Sequence, residues 1–112
     1  MKTKKPTVHP VLASHPTLAD FQSYIADTLT YRDLNSSTQY CMLMLCEEVG
    51  ELAKAVRKSV GGKMDVTKPD AHADEEAADV LWMLICVCNG LGIDLETAFR
   101  AKQEVNKNRM WR

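Results

Sequence analysis

The sequence predicts an all-α fold of four helices, and two observations support this prediction. Apolar residues recur at helical spacing in four segments of the 112-residue chain, and residues that favour helix ends separate these segments. No segment shows the apolar and polar alternation that is typical of a strand. A chain of this length forms one small domain, which gains buried surface by associating with further copies. We therefore expect a helical bundle that is completed by association with further copies.

The N-terminal region divides into an arm and the start of the helical domain. Residues 1–16 hold three of the four prolines and have no periodic apolar pattern, so we expect a flexible arm. The helical domain is expected to comprise residues 17–112. Thr17 is a typical N-cap, with Asp20 placed where a carboxylate suits the helix dipole. The first helix is expected over about 17–30.

The second helix is expected to follow the cap candidates Asn35 to Ser37 and to continue to about Val60. At 100° per residue, Glu48 and Glu51 lie on a strip beside apolar neighbours, next to the predicted core face. That core face comprises Cys41, Leu45, Val49, Leu52 and Val56. Glycines at 61 and 62 should end the helix, and a loop is expected to follow as far as about residue 71.

The third helix is expected to begin near Ala73 and the fourth to cover about 95–109, with Asp94 as its cap. The segment Val80–Cys88 is apolar all round, which predicts a helix that is surrounded by others. With nine residues it is too short to cross a bilayer, so we expect no membrane contact.

Composition narrows the functional classes. A net charge of −1 gives no basic surface for a nucleic-acid polymer, so none is expected as a partner. The N-terminus is basic, but no apolar segment of a signal peptide follows it. The four cysteines have no zinc-site spacing and are expected to be buried, reduced thiols in a cytoplasmic protein. They are Cys41, Cys46, Cys86 and Cys88.

Two pairs of carboxylates indicate a metal site. On a helix, i and i+3 side chains lie on neighbouring turns of one face, which pairs Glu48 with Glu51 and Glu76 with Asp79. Asp79 lies on a largely apolar stripe, where an unpaired carboxylate is costly. Four converging carboxylates need a cation, and an oxygen-only ligand set favours Mg²⁺, with Mn²⁺ as a substitute.

Each acidic group also has a simpler explanation. Glu47, Glu48 and Glu51 are compatible with a solvated helix face paired to nearby Lys54, Arg57 and Lys58. Glu76 is compatible with the favourable dipole at the start of a helix. A di-iron site is disfavoured, because neither acidic pair continues into a Glu-x-x-His motif.

Two further features are candidates for substrate contact. Lys102, Asn106 and Arg109 follow the apolar stripe of the fourth helix at i, i+4, i+7 spacing, which would direct them toward the bundle interior and the metal. Phosphate oxygens are natural partners for such a group, although a polar helix end would also explain it. Trp82 is compatible with core packing or with stacking on a nucleobase.

At these residues the sequence resembles the MazG-like nucleotide pyrophosphohydrolases, relatives of the dimeric dUTPases and dCTP pyrophosphatases. Their EExxE and ExxD motifs are matched by Glu47 to Glu51 and by Glu76 to Asp79. The stretches EEVGELAKAV, ADVLW and GIDLETAFRAK are also similar, and the resemblance covers about residues 17–112.

The resemblance implies a homodimer or homotetramer that hydrolyses nucleoside triphosphates to monophosphates and pyrophosphate, in a house-cleaning role. It implies Glu48, Glu51, Glu76 and Asp79 as Mg²⁺ ligands. Glu47, Glu48 and Glu51 are the catalytic candidates, and no single carboxylate among them is selected as the general base. The substrate-binding candidates are Lys54, Trp82, Lys102, Asn106 and Arg109. The alternative is a non-catalytic regulatory or partner-binding bundle with a structural Mg²⁺ site.

Overall fold

The computed structural model describes residues 6–61 and 72–111. These two ranges contain four α-helices and no strand, which confirms the all-α prediction. The helices are α1 Leu18–Arg32, α2 Thr38–Ser59, α3 Ala73–Gly90 and α4 Leu95–Lys107. Apart from Gly61, the predicted loop between α2 and α3 lies outside the described residues up to position 71.

Three of the four helix starts carry the predicted caps. Thr17 and Asp20 form a capping box, in which each side chain accepts a hydrogen bond from the other residue's backbone amide, at 3.1 and 2.9 Å. Ser37 caps α2 by accepting from the Tyr40 amide, and Asp94 caps α4 by accepting from the Thr97 amide at 2.9 Å. Short polar side chains therefore fix where these helices begin.

The principal helix pair is α2 with α3, and α1 packs across α3. The core cluster joins the three helices and consists of Ile25, Cys41, Ile85 and Cys86. Gly90 marks a close approach between the end of α3 and the start of α2, because a Cβ atom at this position would collide with the Thr38 hydroxyl. Of the helix pairs in the described chain, α2 and α3 therefore have the most extensive contact.

The predicted core face of α2 is partly wrong. Cys41 is buried, but Val49 and Val56 are 48% and 47% exposed, whereas Ala55 on the Glu48 strip is buried. The face that meets α3 is therefore rotated toward the carboxylates. Periodicity identifies the apolar side of a helix, but it does not show how much of that side one chain can cover.

Two expectations about burial also need correction. Cys46 is exposed, whereas the other three cysteines are buried free thiols as predicted. Leu81 and Leu84 of α3 are each 37% exposed, so α3 is not surrounded on every side within the described residues. Apolar side chains therefore remain exposed on both α2 and α3.

The fourth helix is attached differently. It contains no buried residue, and its principal neighbour is α1. Gln22 of α1 makes the connection: its Nε2 donates to Asn89 Oδ1 and to the Ile93 carbonyl, and its Oε1 accepts from the Leu95 amide at 2.9 Å. The helix ends at Lys107, two residues before the predicted end, so Arg109 lies beyond it.

Within the described residues, no single helix is long and apolar enough to cross a membrane, and α3 with α4 meets that test only as a pair bent by 94°.

Candidate functional site

Three carboxylates converge in the groove between α2 and α3. Glu48 comes from α2, and Glu76 and Asp79 come from successive turns of α3. One oxygen from each side chain can be chosen so that all three lie within 4.8 Å of one another. Glu48 and Glu76 are half-buried and the group is open to solvent on the side of Asp79, which is exposed and not, as expected, on a buried apolar stripe.

The electrostatics of the group suit a cation. The pKa of Glu48 is raised above its ordinary value of 4.5, first by burial and then by the negative charges of Asp79, Glu76, Glu47 and Glu51. A divalent ion bound among these oxygens would reverse the effect of the like charges. Carboxylate oxygens are the donors that Mg²⁺ and Mn²⁺ prefer, so the three side chains fit such an ion.

The remaining predicted residues of α2 surround this group. Glu47 and Glu51 are exposed, and Lys54 is half-buried. Glu51 is not one of the three converging carboxylates, but its charge contributes to the raised pKa of Glu48. Glu51 therefore lies beside the group, on the next helical turn after Glu48.

An apolar cavity continues the same groove. It has a volume of about 170 Å³ and is lined by Leu29, Leu34, Asn35, Tyr40, Cys41, Met44, Trp82, Met83 and Cys86. Met44 lies one turn before Glu48, and Trp82 and Met83 lie one turn after Asp79, so both helices run from the carboxylates to the cavity wall. Tyr40 and Met44 were not predicted as site residues, although helical spacing places both on the same side of α2 as Glu48.

The three candidates on and after α4 lie elsewhere. Lys102 and Arg109 are exposed, and the Arg109 guanidinium lies 5.9 Å from the centre of the Trp111 ring. Asn106 is half-buried, and its Oδ1 is a buried atom without a hydrogen-bond partner in the described part of the chain. None of the three lines the cavity or belongs to the carboxylate group, because α4 packs mainly on α1.

Comparison with known proteins places this helical arrangement in a family. The MazG nucleotide pyrophosphohydrolase domain matches residues 36–110, which include α2, α3, α4 and all three converging carboxylates. An uncharacterized protein of Bacillus subtilis (strain 168), YpjD, is 36% identical over 87 residues, 76% of this chain and 78% of its own length. The dATP/dGTP diphosphohydrolase of Cyanophage S-2L is 30% identical over 95 residues, 85% of this chain and 78% of its own length.

Solved structures give the same result. The iMazG protein from Vibrio DAT 722 superposes with a TM-score of 0.63 at 30% identity, covering 83% of this chain and 99% of that one. The Bacillus-conserved MazG protein, a nucleotide pyrophosphohydrolase, also gives a TM-score of 0.63, at 32% identity, covering 89% of this chain and 97% of that one. The chain therefore belongs to the MazG family and is a nucleotide pyrophosphohydrolase.

Proposed function

We propose that this protein is a Mg²⁺-dependent enzyme that hydrolyses nucleoside triphosphates, in particular deoxynucleotides, to monophosphates and pyrophosphate. The observation that carries the proposal is the convergence of Glu48, Glu76 and Asp79 between α2 and α3. Three carboxylates at this separation repel one another unless a cation lies among them. A triphosphate is also strongly anionic and is drawn to the same cation.

In this proposal Glu48, Glu76 and Asp79 hold the metal, and Glu51 joins them from the next turn of α2. Bound Mg²⁺ supplies neutralisation of the phosphate charge and polarisation of the phosphorus centre that water attacks. One carboxylate among Glu47, Glu48 and Glu51 orients the attacking water or takes its proton, and Glu47 lies exposed beside the metal group. The pyrophosphate leaves from the open, solvent-facing side of the groove.

The substrate extends from the carboxylates in two directions. Its base stacks on Trp82 at the apolar cavity, one helical turn from Asp79. Lys54 contacts the phosphates from α2. Lys102, Asn106 and Arg109 bind phosphate when α4 of another copy is brought to this groove, since α4 of the same chain packs mainly on α1.

Exposed apolar surface supports the association of copies that this arrangement requires. Exposed apolar residues on α2 and α3, including Val49, Val56, Leu81 and Leu84, would be covered in a homodimer or homotetramer. The proposed setting is the cytoplasm, with removal of non-canonical or surplus deoxynucleotides as the physiological role. The cyanophage relative is named for dATP and dGTP, which makes purine deoxynucleotides the first substrates to examine.

The test is a panel of canonical and modified NTPs and dNTPs with Mg²⁺, in which monophosphate plus pyrophosphate is separated from diphosphate plus orthophosphate. The proposal predicts pyrophosphate as the first product and loss of turnover on chelation. Orthophosphate as the first product would reject attack at the α-phosphorus. Mg²⁺ binding without any turnover would support the non-catalytic alternative.

A further inference from the structure

Trp82 takes part in two different contacts. It lines the cavity that continues the carboxylate groove, together with Tyr40 and Met44 of α2. It also meets Tyr24 of α1, with ring centres 6.3 Å apart and ring planes at 86°. Tyr24 does not line the cavity. One aromatic residue is therefore in a position to touch a substrate, and the other supports it.

The contact with Tyr24 restricts the orientation of the Trp82 ring. A perpendicular aromatic pair has a preferred geometry, because the edge of one ring meets the face of the other. Both residues also pack against the core cluster around Ile25 and Ile85. The Tyr24 backbone is held within α1, where its carbonyl accepts from the Thr28 hydroxyl at 2.8 Å. The supporting ring is thus fixed by a helix that carries none of the three converging carboxylates.

We infer that Tyr24 is a positioning residue for base discrimination: it holds the Trp82 ring in the orientation in which a nucleobase stacks, so that larger bases bind better. The inference rests on the proposed function, in which Trp82 contacts the base. Tyr24 precedes the part of the chain that matches the family domain, residues 36–110. Base discrimination would therefore depend on Tyr24 of α1, a helix outside the matched domain.

The lining of the cavity favours stacking as the main source of base preference. Thioether, thiol and aromatic side chains dominate it, and its polar groups include the Tyr40 hydroxyl and the Asn35 amide, whose Oδ1 accepts a hydrogen bond from the Ser37 amide at 3.0 Å. Stacking on an aromatic ring tolerates any base edge and increases with the overlapping area. A purine should therefore gain more than a pyrimidine from a correctly oriented Trp82.

The experiment compares Tyr24→Leu and Tyr24→Phe in a Trp111→Phe background, where Trp82 is the one remaining tryptophan of the two in the chain. KM and kcat are measured with Mg²⁺ for dATP and dCTP, and Trp82 fluorescence is titrated with a non-hydrolysable dATP analogue. Tyr24→Leu should raise KM for dATP about three- to tenfold, change KM for dCTP less than twofold, and leave kcat within about twofold. Tyr24→Phe, which keeps the ring, should restore the background values and the fluorescence response.

Separate control variants distinguish an effect on folding from an effect on function. Tyr24→Met provides a second, more flexible apolar replacement if the leucine variant does not fold. In Trp82→Leu the KM preference should already be lost, and adding Tyr24→Leu should change it no further. An unchanged ratio of the two KM values in folded Tyr24→Leu, or in Tyr24→Met where the leucine variant does not fold, would overturn the inference, whatever happens to the melting temperature. Absence of turnover in the unmodified protein would instead reject the proposed function.

Discussion

The α2–α3 pair and α4 carry the two halves of the predicted site, but the chain holds them in different ways. Glu48, Glu76 and Asp79 lie on helices that pack closely, with Gly90 permitting the close approach. Lys102 and Asn106 lie on a helix with no buried residue, attached chiefly to α1 through Gln22. One chain therefore fixes the geometry of the carboxylates, whereas it leaves the phosphate-binding candidates away from them.

This difference has a physical basis. Neighbouring carboxylates repel one another, and the core between α1, α2 and α3 holds in place the two helices that bring them together. Cations and amides that bind phosphate do not repel the substrate, so they need less support before it arrives. We expect substitutions in the α2–α3 pair to affect chemistry and folding strongly, and substitutions on α4 to affect substrate affinity.

The largest effect is expected at Asp79. Asp79→Asn keeps the size of the side chain but removes one of the three converging charges, so pyrophosphate release at saturating Mg²⁺ should fall about a hundredfold or more. Asp74→Asn, on the exposed first turn of the same helix, should remain within about twofold of the unmodified protein. Equal activities in the two variants would remove Asp79 from the metal site.

Substitution of two glycines by alanine tests the close packing of α2 on α3. In Gly90→Ala the new methyl group meets Thr38, and the unfolding free energy in urea should fall by about 1–3 kcal/mol. In Gly50→Ala the methyl group meets no atom of the described residues within 4 Å, and a mid-helix alanine should stabilise by about 0.5–1 kcal/mol. Equal shifts of the same sign would show that Gly90 does not mark a close contact.

A smaller effect is expected on α4. Lys102→Ala removes an exposed cation, so stability should change by about 0.5 kcal/mol or less, while KM for the triphosphate rises several-fold at constant kcat. Arg100→Ala is the matched control, because Arg100 pairs with Glu96 on the same helix at 3.6 Å. If KM is unchanged in Lys102→Ala, Lys102 does not contribute to phosphate binding.

The smallest effect concerns pH. Because the folded-state pKa of Glu48 is raised above 4.5, the folded protein holds more protons than the unfolded chain between 4.5 and that raised pKa. The unfolding free energy of the Mg²⁺-free protein should therefore gain a small Glu48-dependent contribution as pH falls through this window. Urea titrations at several pH values should show that this contribution is absent in Glu48→Gln.

The sequence predicted local structure better than assembly. Thr17, Ser37 and Asp94 marked helix starts because capping depends on a few neighbouring atoms. The prediction that Val49 and Val56 belong to the core was wrong. Helical periodicity identifies the apolar side of a helix, but it does not show whether the same chain covers that side. The convergence of Glu48 with Glu76 and Asp79 followed from helical spacing and the packing of two helices. The position of α4 depends on Gln22, an ordinary polar residue that gave no signal.

The central claim is that Glu48 belongs to a metal site, and thermal unfolding with and without Mg²⁺ at pH 7 tests it most directly. The unmodified protein and Glu47→Gln should both melt at a higher temperature with Mg²⁺. Glu48→Gln should lose this response and, without Mg²⁺, should be more stable than the unmodified protein, because a repelling, half-buried charge has been removed. A full Mg²⁺ response in Glu48→Gln would contradict the assignment.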